Sequence, residues 1–146
     1  MNFKAALVQL YFMLIHTDGK VNQGEIALGK KMIAAEGISE SEFDHRLESL
    51  RGMDINVVYK ECISNLRGLK KEQQIRCIAW LCVLANSDGF MDKAEWQFIY
   101  KVYHKELQLP LDEIMEVQKK LNGQTRNAFP MTSSTSTVMT PRVANM

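Results

Sequence analysis

The chain has 146 residues, a formal net charge of +1, and 46% hydrophobic against 24% charged residues. A domain of this length buries roughly 68–70% of the surface its unfolded chain exposes, and the composition is that of a single globular unit. The near-zero charge excludes a strong field for nucleic acid or for an anionic membrane. The three cysteines, without a C-x-x-C pair, read as reduced thiols of a cytoplasmic protein.

No strand pattern occurs, and the apolar periodicity predicts an all-α fold of about seven helices. The first covers about Asn2 to Thr17. Its apolar run "AALVQLYFMLI" has 11 residues, short of the roughly 20 of a membrane span. No signal-peptide cleavage site follows. A helix apolar on every side belongs at the centre of a fold. The second starts at Asn22, with Glu25 as its N-x-x-E box partner, and ends near Glu36 with Gly37 placed as a left-handed stop. The third runs from Ser39, boxed by Glu42, to Arg51-Gly52. The fourth runs from Asp54 to Arg67-Gly68 and is expected to bury Val57, Val58, Cys62 and Leu66. The fifth, about Lys70 to Ser87, contains "IRCIAWLCVLA" and reads as a second central helix. The sixth starts at Asp92, boxed by Glu95, and fades near Leu107. The seventh opens with Pro110 and uses Ile114, Val117 and Leu121. Trp80, Trp96 and Tyr100 lie at helical spacing and read as core.

From about Asn122 onward there is no acid and there are eight Ser or Thr residues. That composition does not offset the entropy of ordering. The expected division is therefore a helical domain over 1–122 and a flexible tail over 123–146.

A short acidic phrase occurs twice. "HTDGKVNQGE" begins at His16 and "NSDGFMDKAE" at Asn86. At an offset of 70, Leu14 falls on Leu84, Asp18 on Asp88, Gly19 on Gly89 and Glu25 on Glu95. With one extra residue, Ser39 then falls on Pro110, Glu42 on Glu113 and Leu50 on Leu121. Central helix, D-G loop, amphipathic helix and third helix thus repeat, with the fourth helix as connector. This predicts an internally duplicated three-helix unit with pseudo-twofold symmetry.

The phrase has the spacing of the second half of a calcium loop, with acid, Gly and Glu at positions 5, 6 and 12. Position 1 would be Leu14 or Leu84, which excludes an ordinary EF-hand. Helix punctuation accounts for Gly19, Gly89, Glu25 and Glu95. It does not account for Asp18 and Asp88, each at a helix C-terminus where a carboxylate costs about 0.3–1 kcal/mol. The compensating cation is either a divalent metal or a neighbouring Lys20 or Lys93. The candidate metal ligands are Asp18, Glu25, Asp88, Glu95 and Asp92, and oxygen donors favour Ca or Mg.

The phrases "IHTDGKVNQGEI" and "LANSDGFMDKAEWQFI", with "EGISESEF", resemble the tellurite-resistance TerB family and the TerB-like domain of DjlA-type co-chaperones, over about Met1 to Leu121. The resemblance implies an all-helical domain. It also implies a divalent metal on the repeated acids, here Asp18, Glu25, Asp88 and Glu95, and a place in a stress or envelope-linked system. No HPD tripeptide occurs, so co-chaperone activity is not carried over.

His16 stands beside the first D-G loop, as a ligand or as a helix cap; His45 and His104 have no partner at ligand spacing. No GxSxG, P-loop or HExxH occurs. The basic cluster "RGLKK" from Arg67 complements a helix C-terminus, and no nucleic-acid partner is expected. The expectation is a non-catalytic binding module with an unidentified protein partner, no membrane span, and peripheral membrane association only through that partner. The alternatives are a metal-free protein-interaction scaffold using the same acidic face, and a metal-dependent hydrolase.

Overall fold

In a computed structural model the described residues are 2–17, 23–87 and 92–127. They form seven α-helices: α1 (Asn2–His16), α2 (Gln23–Ala35), α3 (Glu40–Arg51), α4 (Ile55–Arg67), α5 (Lys71–Ala85), α6 (Lys93–Tyr100) and α7 (Leu111–Asn127). Among the described residues there is no strand. The fold is all-α, and none of the described helices is long and apolar enough to cross a membrane.

The two helices apolar on every side form the centre. Residues Ala6–Leu14 of α1 and Cys77–Ala85 of α5 are buried without interruption. α1 packs against α3, α4 and α5, and α5 against α1, α2, α6 and α7. Burying whole leucine or isoleucine side chains contributes about 1.5–3 kcal/mol each, so this pair of helices is the main source of stability.

Local chemistry sets the boundaries. Ser39 caps α3 by accepting from the Glu42 N–H at 3.1 Å. The expected box is only half closed, because the Glu42 carboxylate turns to Arg46 one turn on. Asp54 caps α4 through the Asn56 N–H at 2.8 Å. Gly37 ends α2 with φ of +75°, and the Ile38 N–H reaches back to the Ile33 carbonyl at 2.8 Å, a Schellman closure.

The helix starts keep the offsets of the two phrases. α2 opens at Gln23 and α6 at Lys93; α3 opens at Glu40 and α7 at Leu111. The change of offset from 70 to 71 has a physical location. α6 continues as a π-helical turn over Lys101–Glu106, and an i→i+5 turn holds one more residue than an α turn. Beyond it the chain closes as α2 does: Gln108 takes the left-handed conformation of Gly37 (φ +54°), and the Leu109 N–H reaches the Tyr103 carbonyl at 2.8 Å. α1 packs on α3 as α5 packs on α7. The equivalence stops at α2 and α6, which both pack on α5.

Three placements differ from the periodic reading. On α4, Val57 is 44% exposed and Ile63 is buried in its stead, because α4 turns the Val58, Cys62, Ile63, Leu66 face to its neighbours. On α6, Trp96 is 37% exposed and Tyr100 only half-buried, while Ile99 and Tyr103 are buried. α7 carries on to Asn127, past the point where acids disappear from the sequence; residues 128–146 lie outside the described residues.

Candidate metal centre

The two central helices end in the same way. The Thr17 N–H bonds the Leu14 carbonyl at 3.2 Å, and the Ser87 N–H bonds the Leu84 carbonyl at 3.1 Å. His16 Nδ1 lies 2.8 Å from the Phe12 carbonyl, and Asn86 Nδ2 donates to the Cys82 carbonyl at 3.1 Å. Each pair is related by the offset of 70. Asp18 and Asp88, the acids that follow, lie outside the described residues, as does Asn22, the expected cap of α2.

The other end of each phrase is described. Asp92 caps α6: its Oδ2 accepts from the Ala94 N–H at 3.0 Å, and Glu95 Oε1 accepts from the Asp92 N–H at 3.4 Å. The expected capping box is therefore present. Glu25 stands at the equivalent place in the first turn of α2. Glu25 is 2% exposed and Glu95 4%, and they are the two charged side chains that are buried among the described residues. Burying an ionised carboxylate costs several kcal/mol unless hydrogen bonds or a cation compensate. Hard oxygen donors of this kind suit a divalent cation such as Ca or Mg. The carboxylates of Glu25, Glu95 and Asp92 are donors of this hard-oxygen type. Among the described residues no three His, Cys, Asp or Glu side chains gather as a ligand set.

The two buried glutamates have different surroundings. In the first half, α2 comes so close to α1 that a Cβ on Gly29 would lie 2.7 Å from Tyr11 Cε1 and 3.1 Å from its hydroxyl. Tyr11 is buried, and burial first, then the Glu25 charge, raises its phenol above the ordinary value. The equivalents in the second half are Leu81 and Ile99, both buried. The large-small pair of one half is thus replaced by two medium aliphatics in the other.

Of the remaining sequence candidates, His45 is exposed on α3. His104 stacks on Tyr100 at 4.7 Å and, with Lys71, Gln108, Leu109, Pro110 and Glu113, lines an open cavity of ≈ 620 Å³. Arg67 and Lys71 of the basic cluster are engaged by Glu106 at 2.9 Å and Glu113 at 3.7 Å. The three cysteines are buried and free. Sequence reasoning missed Glu36 and Glu106, themselves 70 positions apart. Each accepts from an aromatic side chain, Trp80 Nε1 and the Tyr59 hydroxyl, and each binds an arginine, Arg76 and Arg67.

An all-helical domain with two repeat-related acidic phrases, each closed by a buried glutamate, defines the class. The chain matches the family model described as tellurite resistance protein TerB over residues 4–119, and it belongs to that family. No curated protein and no solved structure matches it.

Proposed function

We propose that the protein is a TerB-type binding module that holds a divalent metal ion through Asp18, Glu25, Asp88, Glu95 and Asp92. The observation that carries this reading is the burial of Glu25 and Glu95 at equivalent places in the two halves. A bound cation would add charge compensation to the hydrogen bonds that these carboxylates make. When bound, the ion would link the two acidic phrases and offer them to a protein partner. Family membership favours a binding module over a hydrolase. In this reading the module acts in the cytoplasm, in a stress or envelope-linked system, and reaches membranes only through its partner.

The second reading is a metal-free interaction scaffold, favoured by the closed box at Asp92 and Glu95, which gives both side chains a task without a metal. Thermal unfolding after chelation, with Ca, Mg, Mn and Zn added back singly, separates the two. Ligand at about 100 times its dissociation constant adds about 2.7 kcal/mol. The metal reading expects a rise of a few degrees in wild type that Asp88→Asn and Glu95→Gln lose. No rise with any ion, or the same rise in both variants, leaves the scaffold.

A further inference from the structure

The π-helical turn over Lys101–Glu106 packs chiefly along α6, of which it is the continuation. Val102 and Tyr103 are buried, while Lys101, His104 and Lys105 are exposed. Two wide backbone bonds close it: Leu107 N–H to the Val102 carbonyl at 3.1 Å and Leu109 N–H to the Tyr103 carbonyl at 2.8 Å. Between them Gln108 holds a φ of +54°, a conformation that disfavours every residue with a Cβ. The first half has Gly37 at that place. A segment with few neighbours and a disfavoured backbone opens more readily than a core helix.

Side chains of α4 fasten it. Glu106 accepts the Tyr59 hydroxyl at 2.7 Å and the Arg67 guanidinium at 2.9 Å, and the same guanidinium lies 3.4 Å from the Glu106 carbonyl. The Lys101 ammonium stands 4.7 Å from the centre of the Tyr59 ring. Both ends of the turn are thus tied to α4, which is itself packed on α1. His104, Gln108 and Leu109 form one wall of the open cavity, across from Lys71 and Glu113. That wall is the fastened segment.

We propose that Glu106 is a latch: release of its carboxylate from Tyr59 and Arg67 lets residues 101–109 open as one unit while the central helices stay folded, and this opening takes away one wall of the cavity. Access to the cavity is then set from α4. The latch works without a bound metal.

Native-state hydrogen exchange of the full chain in low urea tests this, on wild type, Glu106→Ala and the milder Tyr59→Phe. In wild type the amides of Leu107 and Leu109 should exchange together, faster than those of residues 78–84 in α5 and with a weaker dependence on urea. Leu109 lines the cavity, so its amide reports the wall itself. Glu106→Ala should speed the pair about fivefold or more, and Tyr59→Phe by a smaller factor. If the two amides exchange only with the full urea dependence of α5, the turn does not open by itself and the inference falls. An unchanged rate in both variants overturns it as well, by removing the latch.

Discussion

Glu36 Oε2 accepts the indole N–H of Trp80 at 2.7 Å and the Arg76 Nε–H at 2.6 Å. One carboxylate at the end of α2 thereby satisfies the buried Trp80 and ties two turns of α5. Seventy positions on, Glu106 accepts the Tyr59 hydroxyl at 2.7 Å and the Arg67 guanidinium at 2.9 Å, tying the π-helical turn to α4. Glu36→Ala should cost about 1–3 kcal/mol, since it strands a buried N–H and an arginine. Glu106→Ala should cost less, because Arg67 is largely exposed. Urea unfolding monitored by tryptophan emission measures both; equal losses would contradict the burial argument.

Gly29→Ala should destabilise although alanine is the better helix former by about 1 kcal/mol. The new Cβ would press on the Tyr11 ring at 2.7 Å, and overpacking of this kind costs about 1–3 kcal/mol. Adding Tyr11→Leu, the residue type at Leu81, should recover much of the loss. Additive effects in the double variant would place the clash elsewhere.

Asp92→Ser separates capping from ligation. Serine keeps an acceptor for the Ala94 N–H, so stability in chelator should change by less than about 0.5 kcal/mol. Under the metal reading the same variant weakens the metal-induced rise in melting temperature. An intact rise would remove Asp92 from the ligand set.

Burial raises the thiols of Cys62 and Cys77 well above the ordinary range and pushes Cys82 up to about 12. In the unfolded chain thiols ionise near about 8.5. Below that value both states hold the proton, and the stabilisation is complete. Above it the unfolded state loses protons first, so stability falls with pH, by about 1.4 kcal/mol per unit for each thiol. Melting temperatures should decline from pH 8.5 upward toward pH 12. Cys82→Ala should shallow that decline, and an unchanged slope would assign it to other groups.

Much of this protein is determined by local signals in its sequence. The all-round apolar runs of α1 and α5 required burial wherever they went. Ser39, Asp54 and Asp92 each offer a side-chain acceptor to the next turn, and Gly37 tolerates a left-handed stop; these effects act within a few residues. The acidic phrase that occurs twice, too, was readable from paired residues such as Glu25 and Glu95. Tertiary structure decided the rest. Which face α4 turns inward, exposing Val57 and burying Ile63, depends on its neighbours and not on its own period. The exposure of Trp96 follows from the placement of α6 on α5. The pairing of Glu36 with Trp80 spans 44 positions, and no local rule connects residues so far apart. The π-helical turn absorbs a residue that an alignment of the halves shows only as an insertion. The burial of Glu25 and Glu95 likewise comes from packing, because a capping box is satisfied just as well in water.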